Sequence, residues 1–496
     1  MKKRLSLLLA VIMLLSVFLG MVGCKKDDVE SEETTISTTL SGGEKGDDDA
    51  KLYEDLPTGD YDGYTFRILN GQSNYAMTRM DPVETQDSLS QAMFNRNSLV
   101  EQTLNVTIEE EFLTYPACKT IQDEARKLNS TNDYAYDIIF NELAYQTPLA
   151  QEGAYLALDE YEMYLNLKKP WWFTDAMDSI KIDGRTCELF GELHLMYYES
   201  IWATVFNQKI FTEKKIEFPY DLVRNGEWTL DKFKETAALA SSGDDGIYGV
   251  YSSGDYFVTA MTAACDFKLI TQDEADILLP YEDDELLVNI YEAILPLYES
   301  NGDHMDNWIM VPADSNARQS GIFTESKDGN LFVRGKAAIF ADAVGNYQQL
   351  RNCDFDYGIL PLPKYTKDQE KYVSNIFRGA ASCGIPVTAP DVERTCTVLE
   401  HLSANSYRFV TDEYYEVVIQ SRTVRDNDSI EMLDIIFGKD KKGITNFELD
   451  AVYGIGFSGV IKLQIADYAP EIKSQLDSIK GTSVKTNINN VIKAYK

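Results

Sequence analysis

Short apolar segments with strand character alternate with segments of helical periodicity through the first part of this 496-residue chain. The strand-like segments span 64–69, 106–110 and 136–140, and the helical patterns span 89–104, 118–128 and 143–151. Strands that alternate with helices are typical of βαβ units, in which each helix connects two parallel strands. The pattern therefore predicts an α/β fold that begins with a parallel sheet flanked by helices.

Strand character returns late in the chain, after a more helical middle that includes a helix with Thr229 as its N-cap. The returning segments span 337–340, 356–360 and 380–385. One sheet that begins early and resumes late implies a discontinuous domain, with the middle of the chain inserted as a second lobe. Several crossings between two lobes form a hinge with a cleft, and small ligands usually bind in clefts at domain interfaces.

The predicted boundaries follow from this organisation. The first lobe comprises 59–195 plus 330–380, and the second comprises 196–329 plus 381–496. Each lobe is expected to contain a mixed, mostly parallel sheet flanked by helices.

The N-terminus has the layout of a secretory signal. Three basic residues, Lys2, Lys3 and Arg4, precede an apolar run over 5–22, which ends at Gly23 and Cys24. The sequence Met21-Val22-Gly23-Cys24 resembles the lipobox of bacterial lipoproteins. That resemblance implies that 1–23 is a signal peptide, that Cys24 is lipidated, and that the body lies at the extracellular face of the cytoplasmic membrane. A transmembrane helix is the alternative for the apolar run.

A polar stretch separates the predicted anchor from the body. Residues 29–51 are mostly Ser, Thr, Asp, Glu and Gly, a composition that cannot bury enough apolar surface to fold. We therefore predict a flexible tether over 24–58.

The charge and the rare residues exclude several functions. The formal net charge is −34, which disfavours nucleic acid as a partner because phosphate backbones are also negative. The six cysteines beyond Cys24 contain no CxxC motif, and we expect core thiols, with one disulfide left open. The three histidines are widely spaced and form no HExxH motif. We therefore predict no metal and no cofactor.

Five segments in order resemble the bacterial extracellular solute-binding proteins of ABC importers, in particular the carbohydrate-type family that includes maltose-binding protein. They are Tyr136–Ile139 with Gly153–Asp159, Val205–Phe211, Pro219 with Trp228–Phe233, Phe332–Ile339, and Tyr357–Pro363. The resemblance implies a two-lobed periplasmic-binding-protein-like (type II) fold, a ligand in the cleft between the lobes, and docking on a membrane permease. It also implies a monomer that binds its ligand without turnover.

Two departures from the family pattern leave the ligand open. Gln208 stands where the family has a lysine after its asparagine, and Pro219 lies nine residues before Trp228. An oligosaccharide is the expected ligand, but the departures leave its identity undetermined.

Sugars present apolar C–H faces to aromatic rings and hydroxyl groups to polar side chains. The chain has 5 Trp and 30 Tyr, so candidates are chosen by position near strand ends and expected crossings. The predicted ligand-binding residues are Asn141, Glu142, Trp171, Trp172, Tyr198, Trp202, Tyr256, Trp308, Asp342, Asn346 and Arg378. The alternative for Asn141 and Glu142 is helix capping, and for Tyr198 and Trp202 it is core packing. Trp228 is expected to be structural.

A surface-anchored glycoside hydrolase is the rival interpretation, and it needs two facing carboxylates. With 80 acidic residues in the chain, the sequence always offers some pair, so counting carboxylates decides nothing. A binding protein that serves a signalling receptor is a third interpretation, which the sequence does not separate from transport.

Overall fold

The computed structural model describes residues 51–71, 79–80, 87–114, 116–181, 184–252, 254–272, 278–280, 282–298, 310–312, 330–377, 379–419 and 427–447, together with 449, 486, 489, 490 and 493. The predicted signal peptide, Cys24, Trp308 and Arg378 lie outside the described residues. Among the helices of the described residues, none is both long enough and apolar enough to cross a bilayer.

The described elements alternate as the sequence pattern indicates. The strands are β1 (Tyr64–Gly71), β2 (Val106–Leu113), β3 (Ile138–Glu142), β4 (Trp202–Asn207), β5 (Tyr248–Ser252), β6 (Ile270–Gln272), β7 (Leu278–Pro280), β8 (Met310–Pro312), β9 (Ala337–Ala343), β10 (Tyr357–Leu360), β11 (Tyr372–Ile376), β12 (Ala381–Gly384) and β13 (Gly443–Phe447). The helices are α1 (Ser88–Leu104), α2 (Cys118–Thr131), α3 (Leu143–Gln151), α4 (Thr174–Asp178), α5 (Met196–Glu199), α6 (Gln208–Glu213), α7 (Tyr220–Arg224), α8 (Leu230–Ala240), α9 (Gly254–Ala264), α10 (Asp284–Tyr298), α11 (Val392–Asn405), α12 (Thr411–Ile419) and α13 (Asn427–Ile436).

The first sheet confirms the predicted βαβ units. Its strand order is β12-β3-β1-β2, and β1 runs parallel to both β2 and β3. Tyr64 pairs with Val106 and Ile68 with Ile138, so three successive strands lie side by side with α1 and α2 as their connections. β12 joins the other side of β3 in the antiparallel direction.

The second sheet has the order β10-β4-β9-β5-β8. β4 is antiparallel to both β9 and β10, whereas β5 is parallel to β9 and β8. β9 is buried along its whole length, as expected for a strand with neighbours on both sides and helices on both faces.

The strand pairing differs from the predicted lobe boundaries. β9 and β10 lie within 330–380, which was allocated to the first lobe, but they pair with β4 and β5 of the second sheet. β12 lies beyond residue 380 and pairs with β3 of the first sheet. A fully buried strand carries no periodic signal that identifies its partners, so sequence patterns alone do not assign it to a sheet.

Several local predictions are confirmed. Thr229 caps α8, because its Oγ1 accepts a hydrogen bond from Lys232 N at 3.4 Å. Trp228 is fully buried, and its Nε1 donates to the Pro361 carbonyl at 3.0 Å, which fits the structural role expected for it. The six cysteines among the described residues are all buried thiols, and no disulfide joins them.

The end of the predicted tether packs on the body. Lys169 Nζ donates to the Leu52 carbonyl at 2.8 Å, and His401 Nε2 lies 2.8 Å from the Pro57 carbonyl oxygen. The ring of Tyr53 stacks on Trp171 with centroids 5.7 Å apart. The last residues of the 24–58 segment are therefore attached to the folded body rather than free.

Candidate functional site

Three backbone segments, here called the crossing segments, run side by side. Two of them lie on stretches of chain that connect strands of the two sheets, between β3 and β4 and between β10 and β12, and the third begins the turn after β9. They are residues 200–202, 343–344 and 376–377. Val344 N donates to the Ile201 carbonyl at 2.8 Å, and Phe377 N donates to the Ser200 carbonyl at 2.9 Å. Trp202 also pairs with Ala343, and Ile201 bridges to Ile376. Because backbone hydrogen bonds tie the segments together, the residues beside them have fixed relative positions.

A pocket opens directly beside the crossing segments. It is small: the empty space of about 310 Å³ around it includes open solvent. Its described lining consists of Met196, Glu199, Ser200, Ala343, Gly345, Asn346 and Phe377. The pocket therefore combines a carboxylate, a hydroxyl and an amide with one aromatic ring.

The short helix α5 presents one face to the pocket and the other to the core. Met196, Glu199 and Ser200 follow the i, i+3, i+4 spacing of a single helical face, and all three line the pocket. Tyr197 and Tyr198 lie on the opposite face and are buried. The helical spacing of residues 196, 199 and 200 in the sequence therefore indicates which side chains of this stretch share the pocket face.

The turn after β9 contributes Gly345 and Asn346 to the lining. A Cβ atom at Gly345 would lie 3.0 Å from the Glu199 Cβ and 3.1 Å from the Glu199 carbonyl oxygen. Contacts that short are tighter than packed side chains normally adopt, so glycine allows the turn to approach α5 this closely. The close approach brings Asn346 and Glu199 into the lining of the same pocket.

A chain of hydrogen bonds holds this turn. Asp342 Oδ1 accepts from Ala343 N at 2.7 Å and from Asn346 Nδ2 at 3.0 Å. Gln349 Nε2 donates to the Asn346 carbonyl at 3.1 Å, and Asn330 Nδ2 donates to Gln349 Oε1 at 3.1 Å. Asp342 is buried while Asn346 is half-buried at the pocket surface.

Two aromatic rings close one side of the site. Phe377 lines the pocket, and the ring of Tyr256 meets it edge-on with centroids 5.1 Å apart and an interplanar angle of 86°. Tyr256 lies at the start of α9 and is half-buried. The structure therefore brings Tyr256, Asp342 and Asn346, three of the predicted site residues, into one region.

Tyr198 and Trp202 are placed in the core, as their alternative interpretation expected. Tyr198 is fully buried, with its ring centroid 4.6 Å from Phe437 and 5.7 Å from Tyr414. Trp202 is buried in β4. Neither is among the described residues that line the pocket.

Asn141 and Glu142 lie at the end of β3, at the start of α2 and α3. Asn141 Nδ2 donates to the Cys118 carbonyl at 3.0 Å, and its Oδ1 accepts from Glu142 N at 2.9 Å. Burial, together with the Glu142 carboxyl, raises the pKa of the Cys118 thiol. Asn141 thus joins the strand end to the first residue of α2, while neither α2 nor α3 has a side-chain cap.

Trp171 and Trp172 are bound to one buried carboxylate. Their Nε1 atoms donate to the two oxygens of Glu400, at 3.1 Å for Trp171 and 2.8 Å for Trp172. Burial raises the pKa of Glu400 to about 7, against the lowering effect of these two hydrogen bonds. The arrangement fixes α11 to the 165–173 segment and lies apart from the pocket.

Sequence reasoning missed six of the seven described lining residues: Met196, Glu199, Ser200, Ala343, Gly345 and Phe377. Glu199 and Ser200 stood inside a stretch chosen for its aromatic residues, and the helical spacing of 196, 199 and 200 is the signal that identifies them. Phe377 carries no local signal, because its position depends on the pairing between residues 200 and 377.

The described residues contain no cluster of His, Cys, Asp and Glu suited to a metal ion. His194 is buried against Phe140, its ring 4.7 Å away, and burial lowers its pKa to about 3. Such a histidine stays neutral at physiological pH and serves packing. Of the described lining residues, Glu199 is the one acid.

No protein-family model and no curated protein matches the sequence. Solved structures do resemble it. An ABC substrate-binding protein from Listeria monocytogenes in complex with cycloalternan is 13% identical, with 87% of this chain and 99% of that chain covered and a TM-score of 0.52. A sugar transporter from Rhizobium etli in an open conformation is 14% identical, with 87% of this chain and 99% of that chain covered and a TM-score of 0.54.

A third match is described as a designed esterase, at 12% identity, covering 87% of this chain and 100% of that chain, with a TM-score of 0.55. At identities this low, the likenesses establish the fold and leave the activity open. The resemblance predicted from the sequence is confirmed at that level. The chain has the two-lobed α/β fold of the ABC transporter solute-binding proteins.

Proposed function

We propose that this protein is an extracellular solute-binding protein that captures a carbohydrate, an oligosaccharide, beside the crossing segments and delivers it to the permease of an ABC importer. The observation that carries the proposal is the pocket. Its lining combines the polar side chains of Glu199, Ser200 and Asn346 with the ring of Phe377. A sugar needs both kinds of contact, since its hydroxyls bind polar groups and its C–H face packs on aromatic rings.

The position of the pocket supports capture coupled to lobe movement. Part of its lining, namely Met196, Glu199, Ser200 and Phe377, lies on stretches of chain that connect strands of the two sheets. A ligand there contacts parts of the chain that move when the lobes rotate. A ligand that binds one arrangement of the lobes better than another shifts their balance. In this proposal, the permease recognises the ligand-bound arrangement.

The location rests on the N-terminal sequence. A signal peptide over 1–23 and lipidation at Cys24 place the body at the extracellular face of the cytoplasmic membrane, as a monomer on its tether. The resemblance to sugar-binding proteins of ABC transporters supports the same assignment.

The chemistry of the pocket favours binding over hydrolysis. Glycoside hydrolysis uses two carboxyl groups on opposite sides of the scissile bond. Glu199 is the one acid among the described lining residues, and the hydroxyl, amide and ring around it bind without activating water.

A thermal-shift screen tests the proposal, because a ligand that binds only the native state raises the unfolding midpoint by mass action. The probes are maltotriose, cellotriose, mannotriose and xylotriose, with tripeptides as the competing class. We expect at least one trisaccharide to raise the midpoint of the wild type and of the exposed control Asn225→Ala, but not of Asn346→Ala. A response to peptides alone, or release of sugar from any probe, contradicts the proposal.

A further inference from the structure

We propose that Asp342 is a positioning residue, which orients the Asn346 amide so that its carbonyl oxygen accepts a hydroxyl of the ligand. The inference rests on the proposed function and assigns different roles to two residues that the sequence placed together as ligand contacts. Asp342 lies at the end of β9 and is buried, whereas Asn346 lies one turn later and lines the pocket.

The side-chain amide of Asn346 has two chemically different ends. Asp342 Oδ1 lies 3.0 Å from Asn346 Nδ2, and it also accepts from Ala343 N at 2.7 Å. An ionised carboxylate only accepts hydrogen bonds. An amide with its oxygen toward Asp342 would place two acceptors in contact, so the carboxylate selects the orientation with the NH2 group toward itself.

The backbone of Asn346 is held from its other side. Its carbonyl accepts from Gln349 Nε2 at 3.1 Å, and Gln349 is held in turn by Asn330. The turn also lies close to α5, since a Cβ at Gly345 would come within 3.0 Å of the Glu199 Cβ. With the backbone fixed, the remaining freedom of Asn346 is the rotation of its amide.

Because Asp342 occupies the NH2 end, the carbonyl oxygen is the acceptor that Asn346 offers to the pocket. The Asn346 side-chain oxygen favours ligands that donate a hydrogen bond to it, as a sugar hydroxyl does. Groups that only accept, such as a methyl ether or a ring oxygen, are disfavoured at this position. Pre-orientation also removes the cost of ordering the amide on binding.

A double-mutant cycle tests this role by calorimetric titration of the trisaccharide that gives the largest thermal shift in the panel named above. We expect Asp342→Leu to weaken binding about tenfold, and Asn346→Ala to weaken it by a similar factor. In the Asn346→Ala background, Asp342→Leu should have no further effect on affinity, because no amide remains to be oriented. Asp342→Asn keeps an oxygen acceptor and should restore most of the affinity.

A second readout is independent of the ligand. In protein labelled with 15N-asparagine, the side-chain NH2 resonances of Asn346, assigned by their loss in Asn346→Ala, should move in Asp342→Leu. Folding of each variant is checked by circular dichroism.

The outcomes separate the two proposals. If the wild type binds trisaccharides and Asp342→Leu weakens binding equally in both backgrounds, or Asp342→Asn is as weak as Asp342→Leu, the positioning role is wrong while the proposed function stands. If the wild type binds no trisaccharide, the proposed function fails, and this inference fails with it.

Discussion

The ammonium nitrogen of Lys439 lies 3.0 Å from Glu192 Oε1, and the side chain of Glu192 is completely buried. Lys439 follows α13, which packs on β10 of the second sheet, whereas Glu192 N bonds to the Trp171 carbonyl in the first lobe. Three tyrosine rings lie near the ammonium group. Their centroids are 5.0 Å away for Tyr198, 5.1 Å for Tyr415 and 6.0 Å for Tyr407. This ion pair therefore joins the two halves of the fold.

Replacing one partner of this pair should destabilise the protein. Lys439→Met leaves the Glu192 carboxylate with the Thr411 hydroxyl at 2.7 Å but without its counter-ion. Loss of one partner from a buried pair costs about 3 kcal/mol, and the partial exposure of Lys439, at 26%, places the expected loss at or below that figure. Urea denaturation of Lys439→Met, Glu192→Gln and the double variant measures the free energy of unfolding.

The double variant should lose less than the sum of the two single variants, because removal of both charges leaves none unpaired. Strict additivity of the two losses would show that the pair does not contribute as a unit.

Glu188 predicts a pH dependence of stability. Its carboxyl is buried, accepts from Ser382 Oγ at 2.6 Å, and has its pKa raised by burial from 4.5 to about 7. Because the folded protein keeps this proton to higher pH than the unfolded chain, the native state is favoured at low pH. That advantage is lost as pH rises from about 4.5 to about 7, by at most about 3 kcal/mol.

Denaturation between pH 4.5 and 8 checks this dependence. In Glu188→Gln, the loss of stability between these pH values should be roughly half that of the wild type. The other half remains because Glu400 has a similarly raised pKa and titrates over the same interval. An unchanged pH profile in Glu188→Gln contradicts the assignment of the proton to Glu188.

Gly345→Ala tests the close approach of the turn after β9 to α5. The new methyl would lie 3.0 Å from Glu199 Cβ and 3.1 Å from the Glu199 carbonyl oxygen, so the turn must shift and carry Asn346 with it. Overpacking of this kind typically costs about 1 to 3 kcal/mol. We expect trisaccharide binding to weaken about tenfold or more, as measured by calorimetry beside Asn225→Ala. Wild-type affinity in Gly345→Ala would show that the pocket does not depend on this contact.

Trp172→Phe separates structural tryptophans from ligand contacts. The variant removes the Nε1 donor that lies 2.8 Å from Glu400 Oε2, and leaves a buried acceptor without this hydrogen bond. Such a loss costs about 1 to 3 kcal/mol of stability. Trp172 is not among the described residues that line the pocket. The affinity of Trp172→Phe for the trisaccharide should therefore match that of the wild type. If Trp172→Phe binds the trisaccharide more weakly while its stability is unchanged, Trp172 contacts the ligand and the structural role is wrong.

The predictable part of this fold is its local part. The βαβ units around β1, β2 and β3 follow from hydrophobic periodicity, and Thr229 follows from its capping position. The lobe assignment of β9, β10 and β12 differs, because pairing of fully buried strands depends on contacts distant in sequence.

The site was partly predictable for a related reason. Asp342 lies at the end of β9 and Asn346 shortly after it, where polar residues of an α/β fold commonly serve ligands. Aromatic residues predicted the site less well, because an aromatic ring packs in a hydrophobic core as readily as on a sugar. Tyr198, Trp171 and Trp172 are all buried. The position of Phe377 depends on its backbone hydrogen bond to Ser200, and it has no local signature in the sequence.

Calorimetric titration of trisaccharides into the wild type and Asn346→Ala tests the central claim most directly. The account predicts saturable binding of at least one trisaccharide by the wild type, about tenfold weaker binding by Asn346→Ala, and no sugar release. Binding of peptides but of no trisaccharide, or equal affinity in Asn346→Ala, would contradict it.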